Sequence, residues 1–208
     1  MKVTLIGMSN AGKSYWSEKL EKEKGYKRIC CDDLIEERLK PILKKGGYSG
    51  IKDVSKWMGQ PYDEQYKKNS SQYLDCEISV MKDAVKLLET IQNDNKNIVI
   101  DTTGSVIYVN RKVLSKLAQI SKVIYIETPL FLKKEMVKKY IENPKPVIWG
   151  DSYNKNNQET NNEALIRCYP ELLDYRSKKY GKYADITLDY FDVMNKRFNE
   201  EQFLRRIK

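Results

Sequence analysis

"GMSNAGKS", residues 7–14, follows the apolar run VTLI at 3–6 and precedes the helix-like YWSEKLEKE at 15–23. Its spacing, Gly7-x-x-x-x-Gly12-Lys13-Ser14, is the P-loop pattern. A turn this tight between a strand and a helix points backbone N–H groups inward, and the helix start adds its dipole, which makes a concave anion site. In such a loop Gly7, Asn10, Ala11, Gly12, Lys13, Ser14 and Tyr15 surround a nucleotide's phosphates. Lys13 reaches the β- and γ-phosphates, and the Ser14 hydroxyl ligates the Mg²⁺ that bridges them. ATP and Mg²⁺ are therefore the expected cofactors. The competing reading is an ordinary βα turn whose Gly, Asn and Ser only cap a helix.

Outward from this loop, five short apolar runs stand out: VTLIG at 3–7, YKRICC at 26–31, NIVID at 97–101, VIYIE at 123–127 and ADITL at 184–188. They are continuously apolar and not alternating, as strands covered on both faces are, and helix-like stretches separate them. The helical patterns fall at 13–24, 33–44, 61–91, 108–120, 129–142, 161–180 and 191–207. Strand followed by helix, repeated, predicts an α/β chain with a parallel sheet between two helical layers. Two stretches break the pattern: KKGGYSGIKD at 44–53, with three glycines, and the polar run 143–162, NPKPVIWGDSYNKNNQETNN. A loop as long as the second, inside a compact domain, reads as a lid.

Composition narrows the chemistry. The chain of 208 residues is read as one domain, 40% hydrophobic and 32% charged, with no apolar stretch approaching a membrane span or a signal peptide. The expected location is the cytoplasm. Four cysteines, Cys30, Cys31, Cys76 and Cys168, show no CxxC spacing and are read as reduced and mostly buried. The absence of histidine removes Ser-His and Cys-His nucleophiles and every His-containing metal site, so a general base must be a carboxylate or, less often, a Lys, Tyr or Cys. The net charge of +9 suits an anionic substrate or a nucleic acid, although the lysines are spread along most helices. A nucleic-acid partner is therefore not favoured.

Ligands of open parallel sheets gather beyond the carboxyl ends of the strands. The second apolar run ends in Asp32 and Asp33, and the third in Asp101, Thr102, Thr103 and Gly104. Three hydrophobic residues followed by Asp101 read as a Walker B strand whose carboxylate holds Mg²⁺; the alternative is an Asx-turn or helix cap. Asp32 and Asp33 open a helix, so one caps it while the other faces substrate. Asp32 is the preferred base for the proton of an attacking hydroxyl.

These pieces together resemble the shikimate kinase family of small-molecule P-loop kinases. The likeness runs through LIGMSNAGKS, CCDDLIEERL, IVIDTTGSV, IYIETP, NPKPVIW and RSKKYGKYADITL, where Arg176-x-x-x-Tyr180-x-x-x-Ala184-Asp185 is similar to the family's closing motif. The resemblance implies a nucleoside-monophosphate-kinase-like fold, a three-layer α/β/α arrangement with strand order 2-3-1-4-5. It also implies a helical substrate-binding region near 33–75, a lid near 143–162, and γ-phosphate transfer from ATP to an alcohol. Matched onto this chain, it implies that Lys13 and Ser14 bind phosphate and magnesium, that Asp32 contacts the acceptor hydroxyl, and that Arg176 binds a substrate carboxylate. Lys145 takes the place of a catalytic lid arginine and Lys138 that of an adenine-stacking arginine; both keep the charge but lose the planar guanidinium.

Three departures stand out. Cys30 replaces the first aspartate of the strand-two pair, Thr102-Thr103-Gly104 replaces a Gly-Gly-Gly turn that the substrate ring approaches closely, and Leu74 replaces an arginine of a second carboxylate clamp. The kinase parts are kept while the shikimate pocket is altered. Three functions follow as expectations: an ATP-dependent kinase of a small hydroxylated metabolite, with shikimate one candidate; a 5′-hydroxyl polynucleotide or nucleoside kinase; or a catalytically silent nucleotide-binding module. Neither the acceptor nor the oligomeric state is legible.

Overall fold

The computed structural model describes residues 1–91 and 96–208. Five strands, β1 (Lys2–Gly7), β2 (Lys27–Cys30), β3 (Ile98–Asp101), β4 (Lys122–Ile126) and β5 (Ile186–Leu188), form one parallel sheet in the order β2-β3-β1-β4-β5. β1 is central, pairing Val3 with Val99 of β3 on one side and with Lys122 of β4 on the other. Its side chains, and those of β3, are buried on both faces, which is the physical meaning of the continuous apolar runs.

The helices are α1 (Lys13–Lys24), α2 (Cys31–Lys45), α3 (Ile51–Met58), α4 (Tyr66–Thr90), α5 (Arg111–Ile120), α6 (Leu130–Glu142), α7 (Asn161–Tyr183), α8 (Tyr190–Met194) and α9 (Glu200–Arg206), with a short 3₁₀ turn at Val106–Tyr108. The three-layer arrangement expected from the strand–helix alternation is the one observed. On α1, Trp16 is completely buried and stacks on Phe203 of α9, the ring centroids 4.6 Å apart. That contact carries the C-terminal helix onto the P-loop helix.

Three boundaries differ from the sequence reading, each for a local reason. The glycine-rich stretch 44–53 is only partly a loop, because Gly50 (φ 76°) turns the chain into α3, which Gly59 (φ 77°) ends. The single helix expected over 61–91 begins at Tyr66 instead, after a turn in which the Asp63 carboxylate accepts from Gln60 N–H at 2.7 Å. The pattern over 191–207 is two helices, because Asn199 and Gln202 form a capping box that starts α9 afresh. Among the described residues, no helix is long and apolar enough to cross a membrane. All four cysteines are free; Cys31 and Cys168 are buried, Cys30 and Cys76 half-buried.

Candidate active site

β1 delivers the chain to the P-loop at Gly7, whose φ is 145°, and a Cβ there would lie 2.7 Å from Ile126 O of β4. Only glycine can leave the sheet so close to the neighbouring strand. Asn10 (φ 64°) and Gly12 (φ 99°) then reverse the backbone into α1. The Ala11 N–H donates back to Met8 O at 3.2 Å, whereas those of Asn10, Gly12, Lys13 and Ser14 have no protein acceptor among the described residues. Converging unpaired N–H groups are what an anion requires.

Lys13 is 6% exposed, and its ammonium donates to Gly7 O and Met8 O, each at 2.9 Å. Burial lowers its pKa from the ordinary lysine value, while Asp101 and then Asp32 oppose the shift. A buried ammonium with only carbonyl partners is electrostatically under-compensated, and a phosphate supplies the missing charge.

In front of this loop lies a cleft of about 720 Å³. Asn10, Gly12, Lys13, Ser14 and Tyr15 line it on the α1 side, Asp32 and Asp33 at the start of α2, Thr103 and Gly104 after β3, Arg176 on α7, and Lys145 from the irregular segment before α7. Most of the residues singled out in the sequence thus meet on one cleft. Gly7 and Ala11 lie beneath it, buried in the loop's base.

Asp32 and Asp33 part company at the helix start. Asp32 is half-buried between Lys13 and Lys145; burial raises its pKa and Lys13 lowers it. Asp33 is exposed and also lines a separate groove along the β2 edge, with Leu34 and Val80. Asp101, 3% exposed, does not line the cleft: its Oδ2 accepts from Ser17 Oγ and from Arg28 Nη2, both at 3.0 Å. Lys138 is not at the cleft either; it is exposed on α6 with Nζ 3.9 Å from Glu142. Its neighbour Lys139 faces a second cavity of about 440 Å³ between α6, α7 and the P-loop. Cys30 does not stand in for a carboxylate, because burial pushes its thiol up to about 12 and keeps it neutral. Leu74 is half-buried against the core and does not line the cleft.

Arg176 is 5% exposed and forms no ion pair among the described residues. Its Nη2 donates to Ile148 O at 2.8 Å, its guanidinium sits 5.6 Å from the Tyr108 ring centroid, and its buried Nε has no partner. Gly104 makes room for it, since a Cβ there would lie 3.4 Å from Arg176 Nη1 and 3.0 Å from Ser9 Oγ.

The polar segment after α6 is held down at its one apolar stretch. Val147, Ile148 and Trp149 are buried; Tyr66 Oη donates to Val147 O at 3.0 Å and accepts from Trp149 N–H at 2.8 Å. Nearby, Lys145 Nζ donates to Asn10 Oδ1 at 2.9 Å, which ties the segment to the P-loop.

Sequence reasoning missed Glu77. It is completely buried on α4 and accepts from Thr103 Oγ1 and, at 2.7 Å, from Ser105 Oγ. Burial pushes its carboxyl up to about 7. Its only signal in the sequence is helical phase: Tyr73, Glu77, Val80, Met81 and Ala84 share the buried face of α4.

No protein-family model matches the sequence, and no curated protein matches it. Solved structures do. A shikimate kinase from Acinetobacter baumannii in complex with shikimate aligns with TM-score 0.59 and 21% identity over 98% of this chain and 88% of its own. A shikimate kinase from Bacteroides thetaiotaomicron aligns with TM-score 0.59 and 14% identity over 98% and 94%. One from Aquifex aeolicus aligns with TM-score 0.57 and 20% identity over 99% and 95%. The chain accordingly has a shikimate-kinase-like P-loop kinase fold.

Proposed function

We propose that the chain is an ATP-dependent phosphotransferase that moves the γ-phosphate to a hydroxyl of a small anionic metabolite. One observation carries the reading: Arg176, a buried guanidinium with an unpartnered Nε and no ion pair among the described residues, lines the same cleft as Lys13 and Asp32. A buried cation with no carboxylate in ion-pair contact is costly unless a ligand completes its pairing. In this reading the cleft has an anion-binding group, a phosphate-binding group and a carboxylate along one lining.

In this reading the loop amides and Lys13 hold the triphosphate, and Lys145 adds a second positive charge above it. Asp32, whose raised pKa favours proton uptake, accepts the proton of the attacking hydroxyl. Arg176 fixes the acceptor by its anionic group, which turns the encounter into an oriented one. The segment 143–162 is a lid, and with Trp149 and Tyr66 anchoring it over the cleft it excludes the water that would otherwise take the phosphate.

Mg²⁺ suits the donor set. The hydroxyl of Ser14 and the carboxylate of Asp101 are hard oxygen donors of the kind Mg²⁺ takes alongside phosphate oxygens and water. Ser14 is the residue that would hold it, with Asp101 as the carboxylate behind. When bound, the ion neutralises charge that builds on the transferring group.

The test is ADP release across a panel of hydroxylated acids, sugars, nucleosides and 5′-hydroxyl oligonucleotides, with ATP binding measured by calorimetry. Turnover of a small anionic alcohol is the expected result. ATP binding without any transfer would establish the silent module instead. Oligonucleotide turnover that falls steeply with salt would establish the polynucleotide kinase.

A further inference from the structure

Glu77 is a fully buried carboxylate that ion-pairs with no cation among the described residues. Its two oxygens take hydroxyl protons instead: Thr103 Oγ1 donates to Oε1, and Ser105 Oγ donates to Oε2 at 2.7 Å. Thr103, Ser105 and Tyr73 all line the cleft, while Glu77 lies behind them.

The direction of these protons follows from valence. An ionised carboxylate only accepts, and a hydroxyl has one proton to give. Thr103 and Ser105, each turned inward onto Glu77, keep no proton for the cleft; Thr103 Oγ1 also accepts from Ser105 N–H at 3.0 Å and lies 3.0 Å from Ser105 Oγ, so the lone pairs of Ser105 Oγ are the freer ones. Arg176, whose Nη1 lies 3.4 Å from where a Cβ of Gly104 would sit, shows only N–H donors.

We propose that Glu77 is a positioning residue that fixes the Thr103 and Ser105 protons inward, making this wall a subsite for a hydrogen-bond donor of the phosphate acceptor. The class of acceptor is thereby narrowed to a small molecule with an anionic group for Arg176 and, besides the reacting hydroxyl, a further hydroxyl or amino group for this wall. The inference rests on the phosphotransferase reading above. A site built to hydrogen-bond a substrate donor discriminates strongly against the analogue that lacks it, because the site's own polar atoms are then left unpaired.

Protonation should undo the arrangement. The groups facing Glu77 are Asp32 and Cys31 from α2, Tyr73 from its own helix, Arg176 and Tyr180 from α7, and the two hydroxyls. Burial is the largest influence and holds the carboxyl at about 7; Thr103, Ser105 and Arg176 pull it down, and Asp32 pushes it up. Once protonated, Glu77 donates to one hydroxyl, which is then free to turn its proton into the cleft. The KM of a donor-bearing acceptor therefore rises as pH falls through about 7. In Glu77→Gln the amide N–H makes that state permanent.

The experiment measures ATP-dependent turnover of matched pairs added to the acceptor panel: glycerate against 3-hydroxypropionate, homoserine against 4-hydroxybutyrate, and shikimate against its 4-deoxy analogue. In wild type, the donor-bearing member of a pair that is turned over exceeds its partner in kcat/KM by at least about tenfold. In Glu77→Gln at pH 8 its KM rises about tenfold with kcat little changed, and its KM no longer varies with pH. Ser105→Ala, which removes one hydroxyl and leaves the carboxylate, reads the rise in KM and the lost discrimination should Glu77→Gln not fold by thermal melt. Turnover with unchanged discrimination in Ser105→Ala, or with unchanged discrimination and an unchanged pH profile in a folded Glu77→Gln, overturns the inference alone. Absence of transfer from bound ATP to any panel member overturns the phosphotransferase reading as well.

Discussion

Arg28 Nη2 lies 3.0 Å from Asp101 Oδ2, joining the edge strand β2 to the carboxyl end of β3 directly behind the P-loop helix. Arg28 Nε also donates to Ser17 Oγ at 2.8 Å, and Ser17 donates to the same Asp101 oxygen, which closes a three-membered network. Asp101 is 3% exposed and the Arg28 side chain 17%, so the pair is largely out of water. The carboxylate that the sequence marks for a metal is thus also the counter-ion of a structural arginine.

Breaking such a pair from one side leaves a buried charge unmatched. Arg28→Met is expected to destabilise the protein by about 2–4 kcal/mol, and Arg28→Met with Asp101→Asn to recover a substantial part of that loss. Urea midpoints of the three proteins measure this. Equal midpoints for wild type and Arg28→Met would show that Asp101 finds compensation elsewhere.

Lys13→Ala tests the nucleotide end. The ammonium is buried with a lowered pKa and only carbonyl partners, so removing it relieves desolvation and should leave the melting temperature essentially unchanged. ADP release is expected to fall at least about a hundredfold, the usual scale for deleting one preorganised charge-stabilising donor. A folded variant that keeps wild-type turnover would remove Lys13 from the chemistry.

Arg176→Ala tests the acceptor end. Loss of a buried charged partner should weaken acceptor binding by roughly 2–5 kcal/mol, read as a higher KM for the panel member that is turned over. Because Nη2 also holds Ile148 O at 2.8 Å, amide hydrogen exchange at 147–149 should rise in parallel. An unchanged KM with faster exchange would confine Arg176 to holding the segment around Ile148 in place.

Glu77 also predicts how stability depends on pH. Its carboxyl titrates near 4.5 in the unfolded chain and at about 7 when folded, so between these values the native state binds the extra proton. Stability from this group is full below about 4.5 and is lost as pH rises through about 7, by up to roughly 3 kcal/mol. The melting temperature of wild type should fall from pH 5 to pH 8 by more than that of Glu77→Gln. Parallel slopes would mean that Glu77 titrates normally.

Much of the site is legible in local sequence because its parts are local. The P-loop is a run of eight residues whose glycines and terminal Lys13-Ser14 dictate a backbone shape, and that shape binds phosphate whatever surrounds it. Asp32 follows for a similar reason, since the end of a buried strand is where a parallel sheet exposes ligand-facing residues. Lys138 projects from α6 away from the phosphate cleft because helical phase decides its direction: about 100° of rotation on, Lys139 borders the second cavity, and both side chains remain exposed.

Local sequence was enough for the central strands, because the apolar runs of β1, β3 and β4 are continuous enough to mark strands buried on both faces, and for the anion-binding loop at the end of β1; the partly exposed edge strands β2 and β5 are legible through their place in the strand–helix alternation. Tertiary structure alone decided that Glu77 stands behind Thr103 and Ser105, 26 and 28 positions away, and that Arg28 claims Asp101 from 73 positions away. Local propensity and periodicity act over a few residues, whereas a buried charge is matched by whichever group packing brings within hydrogen-bond distance. No pattern in the chain records that meeting before the helices close on the sheet.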